Sequence, residues 1–597
     1  MALHEINGVQ AQNQNIDTTS DTWRFDSETT FANSGVILSA TASNNRVLFD
    51  GDIATTGVGI NEVIGAAINN IIVGEDANIS AATSVALSGA GTRFANYGTM
   101  GGAIDSGKGA YIINDVQAFQ NFGTIKVTGA GDSAGIYAVG TTALAIENHG
   151  TISAKIAGIS VAGNADIVNA EGGSISGGEF GVQLGLGGNP GWQTSLVNAG
   201  HISSGKTAIE GASSGDMISN TGTIDGEVTL GNGSDHVSNA GTVNGEILLG
   251  DGSDTFTNRG TWTTTGKLDG GDGNDTIDLR GGTASDGQGG TPEIAGGEGN
   301  DTYIVDKITF DLQEEFGAGI DMVKSSVSFA LGADFENLTL IGDKNINGSG
   351  NGFDNAITGN AGNNILNGMG GEDLIDGGAG IDTLIFDADG AKGVFGNLLT
   401  GKFKGADDLY SFVSNIENVR GTEFVDVLNG DDKANVIEGG AGGDLLNGNG
   451  GRDTISYLHS DAGVTVSLKT NPKTGGDAEG DSLLGFENVL GSSHDDMLGG
   501  DDGKNRLTGG KGDDNLTGFG GADVFVFSGH FGKDEITDFA NSDRIDFSQG
   551  PTLFKNFNAM MDHVTVSGND VVIHHGQDTL RLDNTDLSDL HASQFVF

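Results

Sequence analysis

A six-residue turn ending in Asp or Asn returns at nine-residue steps and is the strongest constraint on how this chain folds. The template is G-G-x-G-x-D followed by a three-residue strand with an apolar centre. Clean copies are Gly270-Gly271-Asp272-Gly273-Asn274-Asp275 and Gly296-Gly297-Glu298-Gly299-Asn300-Asp301. Three blocks of four turns follow. The first ends its turns at Asp354, Asn364, Asp373 and Asp382, the second at Asp426, Asn435, Asp444 and Asp453, and the third at Asp496, Asn505, Asp514 and Asp523. The step is nine throughout, apart from one ten in the first block. Asn stands at the second turn of each block, so the blocks read as copies of one unit.

A turn plus a short strand reverses the chain every nine residues, so turns eighteen residues apart stack on one edge. Asp354 is then expected over Asp373, Asn364 over Asp382, Asp426 over Asp444, Asn435 over Asp453, Asp496 over Asp514 and Asn505 over Asp523. Each gap collects carboxylate and carbonyl oxygens, the donor set that Ca²⁺ prefers. Mg²⁺ demands a tighter octahedron, and Zn²⁺ wants Cys or clustered His. Asn offers a neutral oxygen and implies weaker sites. The opening turns of the second and third blocks, at Gly421-Thr422 and Gly491-Ser492, depart from the template.

A second, longer repeat precedes the first. Asn-x-Gly, then a small and an apolar residue, recurs from Asn96-Tyr97-Gly98-Thr99-Met100 to Asn258-Arg259-Gly260-Thr261-Trp262. Its asparagines are 96, 121, 148, 169, 198, 220, 239 and 258. Such spacings, with two or three short strands between marks, describe one coil of a parallel β-helix. Stacked side-chain amides are expected to hydrogen-bond along one corner. Acidic turns ending at Asp235 and Asp254, and then Asp275, lie one coil apart and are expected to carry the metal ladder from the β-helix into the roll without a break.

Charge agrees with this reading. The chain carries 81 acidic and 28 basic residues, a net charge of −53, and 60 of the acids follow residue 229. That excludes a general nucleic-acid binder and calls for multivalent cations when the chain is compact. There is no cysteine, so metal is the available staple. No apolar run is long enough to span a bilayer. The start, Met1 to Asn7, lacks the basic head and apolar core of a cleaved secretory signal.

The nonapeptide runs, such as Gly377-Gly378-Ala379-Gly380-Ile381-Asp382 and Gly439-Gly440-Ala441-Gly442-Gly443-Asp444, resemble the RTX (repeats-in-toxin) calcium-binding β-roll over about residues 266–597. Spacers such as Ser325–Gly332 leading to Glu336-Asn337-Leu338, and Ala462–Leu468, are similar to those of that family. The close of the roll, Gly521 to Phe539, resembles it too. The resemblance implies export from a Gram-negative cell through type I secretion machinery. The tail, with Asp583, Asp586 and Asp589 before Phe595-Val596-Phe597, resembles the uncleaved signal of that route.

The fold expected is all-β: an N-terminal right-handed parallel β-helix continuing into C-terminal RTX parallel β-rolls. Residues 1–30 are read as a cap or disordered, 31–265 as the β-helix, 266–540 as the roll with spacers, and 541–597 as a β cap with the secretion signal. For catalysis the sequence offers little. It has no H-E-x-x-H, no Asp-Pro-His-Glu, and no Gly-x-Ser-x-Gly elbow that stands out. His201 is a lone candidate on the β-helix, and His574-His575 read as structural. The expected role is a calcium-binding structural or adhesive protein in a surface layer, biofilm matrix or cell contact, with polysaccharide as a candidate partner. The alternative is a polysaccharide lyase or hydrolase acting on the β-helix face.

Overall fold

The computed structural model describes residues 3–6, 22–25, 30–32, 36–38, 45–55, 58–62, 68–81, 83–88, 91–102, 108–113, 116–128, 134–386, 392–405, 408–470, 473–549 and 553–597. Most of the expected N-terminal cap lies outside these. The chain divides into two units, Met1–Val323 and Lys324–Phe597.

The first unit is a parallel β-solenoid with three strand faces per coil. Parallel registers link Phe94 to Phe119, Ile146, Ile167, Leu196, Ile218, Val237, Phe256, Ile277 and Tyr303 on one face. A second face aligns Met100, Ile125, Ile152, Ile175, Ile202, Ile224, Val243 and Trp262. A third aligns Ile136, Ile159, Val182, Ile209, Val228, Ile247, Leu268 and Ile294. All of these side chains are buried. Each coil therefore drives about three apolar side chains into the bore, worth roughly 1.5–3 kcal/mol apiece. A coil can bury them only against its neighbours, so stability is shared along the stack. Phe94 and Phe119 stack at 4.9 Å between centroids, the spacing of one coil.

The repeated Asn forms the expected corner ladder. Each Nδ2 donates to the next Oδ1 from Asn96 through Asn258, at 2.7–2.9 Å. The side chains are wholly buried, so each amide has only its neighbours to satisfy it. Asn198→Ala strands Asn220 Oδ1 and leaves Asn169 Nδ2 only its longer bonds to the carbonyls of Gly173 and His201, both at 3.3 Å. It is expected to cost about 3 kcal/mol, against roughly 0.5 kcal/mol for Val197→Ala, whose side chain is exposed on the outer face. Urea midpoints of the two variants check this; equal shifts would show that the ladder is not a stabilising network.

Gly211-Ala212-Ser213-Ser214-Gly215 does carry Gly-x-Ser-x-Gly spacing. It joins the strands His201–Glu210 and Gly215–Asn220 with no helix after it, so it lacks the strand-to-helix turn of a nucleophile elbow.

The nonapeptide blocks of the second unit are built from three-residue strands. Strands eighteen residues apart pair in parallel: Ala356 with Leu374, Ile365 with Thr383, Val427 with Leu445, Val436 with Thr454, Met497 with Asn515 and Arg506 with Val524. The central residue of each strand, for example Leu366, Ile437, Leu446 and Leu507, is fully buried. Spacers leave the roll and return in register. One does so through antiparallel strands Lys402–Lys404 and Tyr410–Ser414, after which Phe412 pairs with Leu374. The strand Phe595–Val596 pairs in parallel with Arg544–Asp546. The helix Phe557–Met561 is the one α-helix among the described residues.

Candidate metal centres

In the first unit the acidic turns form one edge ladder. The backbone N–H of Asp235 donates to Asp254 Oδ1 at 2.7 Å, that of Asp254 to Asp275 at 2.7 Å, and that of Asp275 to Asp301 at 2.7 Å. The ladder reaches one coil further each way. Asp216 donates to Asp235 at 2.6 Å and Asp301 to Asp321 at 2.8 Å.

Each bond uses only Oδ1. The Oδ2 atoms of Asp216, Asp235, Asp254, Asp275 and Asp301 are buried without a hydrogen-bond partner. A column of buried carboxylate oxygens without donors is costly unless protons or a cation answer the charge.

The second unit repeats this arrangement. The N–H of Asn364 donates to Asp382 Oδ1, Asp426 to Asp444, Asn435 to Asp453, Asp496 to Asp514 and Asn505 to Asp523, all at 2.7–2.9 Å. Oδ2 of Asp382, Asp444, Asp453 and Asp514 is again buried and without a partner. The first glycine of the turn makes room for it: a Cβ on Gly439 would lie 2.1 Å from Asp444 Oδ2. The glycines at the second and fourth positions of the turn hold the left-handed backbone that curls it, as at Gly440 (φ 89°) and Gly442 (φ 129°).

One expected pair needs correcting. Asp354 is exposed and accepts from the N–H of Glu372. Asn355 takes the inward position instead, and its N–H donates to Asp373 Oδ1 at 3.0 Å. The nine-residue step is thereby kept throughout the first block, and a one-residue slip turns a strand-edge side chain to the opposite face.

The terminal positions are not equivalent. Asn364, Asn435 and Asn505 donate Nδ2 to carbonyls one coil away, at 2.6–2.9 Å, and accept turn N–H groups on Oδ1. They tie turns together with protein groups alone. Asp426 accepts from the N–H of Thr422 and of Val394, and Asp496 from those of Ser492 and Val464. The hydroxyls of Thr422 and Ser492 also bind these carboxylates. The degenerate opening turns thus satisfy their own aspartates.

Several ladder residues lie outside the nonapeptide pattern. Asp382 donates its N–H to Glu417, Asp453 to Glu487, Asp444 to Asp481, Asp514 to Asp534 and Asp523 to Asp543. Glu-Asn-apolar recurs at Glu336, Glu417 and Glu487, a signal that could have found two of them. Gly-x-Asp at Gly319–Asp321 and Gly532–Asp534 marks two more.

Burial pushes these carboxyls up, to about 8 for Asp235 and Asp444, about 7 for Asp275, Asp301 and Asp514, and about 9 for Asp534. Neighbouring aspartates push in the same direction. A group raised on folding gives stability that is complete below its unfolded value, near 4, and is lost as pH rises through the folded value. In chelator, the β signal in circular dichroism is therefore expected to grow as pH falls from about 8 to about 5. With calcium saturating, it should stay flat down to about pH 6. Loss of structure on acidifying the chelated protein through this window would refute the buried-carboxylate ladder.

His201 Nε2 lies 2.7 Å from Asp225 Oδ2, both half-exposed on the first unit. A separate cleft of about 430 Å³ is lined by Lys267, Asp269, Asp272, Glu293, Glu298 and Glu314, among others.

Residues 267–283, 349–384, 420–455 and 499–529 match the family described as RTX calcium-binding nonapeptide repeat, in four copies. These repeats bind calcium, so the chain carries calcium-binding turns in several copies. No curated protein matches the chain. Among solved structures, extracellular lipase LipA from Serratia marcescens is 17% identical, with a TM-score of 0.15. The alignment covers 47% of this chain and 45% of the lipase, so it spans less than half the length of either. At that score the likeness carries no argument about fold or activity.

Proposed function

We propose that this chain, which carries RTX calcium-binding repeats, is a secreted structural or adhesive protein that folds as it meets extracellular calcium. The observation that carries the calcium part is the set of buried carboxylate oxygens without donors at Asp235, Asp254, Asp275, Asp301, Asp382, Asp444, Asp453 and Asp514. We assign these as ligands. Asp373 and Asp523 stand at equivalent stacked positions. Asp426 and Asp496, already held by turn N–H groups, and the three asparagines contribute weaker or purely structural positions.

Sites with dissociation constants of roughly 10⁻⁴–10⁻³ M stay empty inside a cell and fill outside it, and binding free energy then becomes folding free energy. Such a chain suits export in an unfolded state through a type I machinery of a Gram-negative cell, with residues 541–597 as the roll's cap and signal. The β-helix, 31–265, is the presented surface, in a surface layer, matrix or cell contact. Polysaccharide is its candidate partner.

A second reading has one observation in its favour. The cleft holding Lys267, Asp269, Glu293 and Glu298 gathers several carboxylates beside a lysine, and a pair of carboxylates is what glycoside hydrolysis uses. Incubating the calcium-loaded protein with acidic and neutral polysaccharides separates the two. Co-sedimentation without chain shortening supports the structural role. Shortening transfers the assignment to the enzyme. Neither binding nor cleavage removes polysaccharide as the partner.

A further inference from the structure

We propose that Asp301, Glu314 and Asp321 together form a three-carboxylate calcium site, the tightest of the first unit, in which Glu314 is a ligand from outside the nonapeptide turns. The proposal rests on the reading of the aspartate ladder as a calcium ladder and adds to it a residue and an order of affinity.

The register shows how Glu314 gets there. Asp269 pairs with Ala295, and Ala295 with Gln313. The residues that follow are Gly270, Gly296 and Glu314. In the first two coils that position is the turn's opening glycine, and a Cβ on Gly296 would come within 2.2 Å of Asp301 Oδ2. In the third coil a glutamate stands there, and its carboxylate joins Asp301 and Asp321. One carboxylate oxygen from each of the three lies within 4.8 Å of the other two, the one such group among the described residues.

Two buried oxygens in this group point to a cation. Asp301 is 1% exposed and its Oδ2 has no partner; Glu314 Oε2 is buried and also has none. Glu314 Oε1 is held by the hydroxyl of Tyr303, a fully buried side chain. That bond fixes the carboxylate and leaves Oε2 for a ligand. Burial raises Glu314 to about 8, the same desolvation seen along the ladder. Glu314 also lines the cleft with Gly297, Glu298 and Gln313, which gives an ion a path from solvent. Elsewhere on this ladder a step brings two aspartates together. A third carboxylate raises the ligand charge, and calcium affinity follows charge count and rigidity.

The test is a calorimetric calcium titration of the chelator-stripped full chain and of three variants. Glu314→Gln should remove the tightest step, weakening it by roughly tenfold or more, and leave the later steps in place. Glu315→Gln, one residue along and exposed, should change nothing. Tyr303→Phe keeps the ring's volume and releases Oε1, so it should shift that same step alone. An unchanged tight step in Glu314→Gln overturns the site. If Glu314→Gln loses every step through misfolding, Tyr303→Phe decides: a shift confined to the tight step supports the site, and no shift overturns it. Absence of calcium binding in the parent chain would overturn the ladder reading as well, and so separates the two failures.

Discussion

Stripping calcium at neutral pH is expected to unfold the second unit and the acidic end of the first, with loss of most β signal and a large rise in hydrodynamic radius. The magnitude follows from linkage. A site held at a hundred times its dissociation constant adds about 2.7 kcal/mol to the folded state, and several such sites together rival the 5–15 kcal/mol that holds a whole domain. The buried carboxylates supply the opposing force once the ion leaves: unpartnered oxygens at Asp382, Asp444, Asp453 and Asp514 must then take up protons or hold charge without counter-charge, and either costs stability at neutral pH. The coils that carry only the Asn ladder lack this dependence. Limited proteolysis in chelator should therefore spare a fragment from the first unit. Calcium should restore the fold, and magnesium at equal concentration should not. A roll that keeps its β signal and radius in chelator would remove calcium as the folding switch.

The second large effect is expected from one methyl group. Gly439→Ala places a Cβ 2.1 Å from Asp444 Oδ2, at a glycine whose backbone is not in the left-handed region. The damage is therefore steric and local. To make room, the carboxylate must leave the N–H of Asp426, 2.8 Å away, and the gap it shares with Asp481. Overpacking and the lost charge-assisted bond together should cost about 3–5 kcal/mol in saturating calcium and raise the calcium needed to fold. Asp354→Ala is the matching control. Its side chain lies outside the ladder, and the unfolding free energy from urea titration should change by less than about 0.5 kcal/mol. If Asp354→Ala proved the more damaging, the register of the first block would be wrong by one residue.

That register shows what spacing alone could and could not give. Turns stacked eighteen residues apart follow from the nine-residue phrase, because each turn reverses the chain and each strand centre must be buried. Asp354 fails because Asp354-Asn355 offers two residues for one inward place, and a count by residue type chose the carboxylate over the step. Glu417, Glu487 and Asp481 escaped for another reason. They are 34–37 residues along the chain from Asp382, Asp453 and Asp444 yet one coil away in space. Spacers such as the one through Lys402–Ser414 leave the roll and rejoin it in register. Only pairing, not spacing, shows where such an excursion lands. The Asn ladder was legible because one chemical group recurs at the coil period. Glu314 was not, because it breaks a glycine column that becomes visible only once the strands are aligned.

The most direct test of the calcium ladder is a count of bound ions. Equilibrium dialysis of the folded chain against calcium, at neutral pH and physiological salt, should find at least four ions per chain, one or more for each of the four nonapeptide segments. The count should fall on replacing Asp444 and Asp514 with Ala. A chain that stays folded while binding one calcium or none would contradict the account.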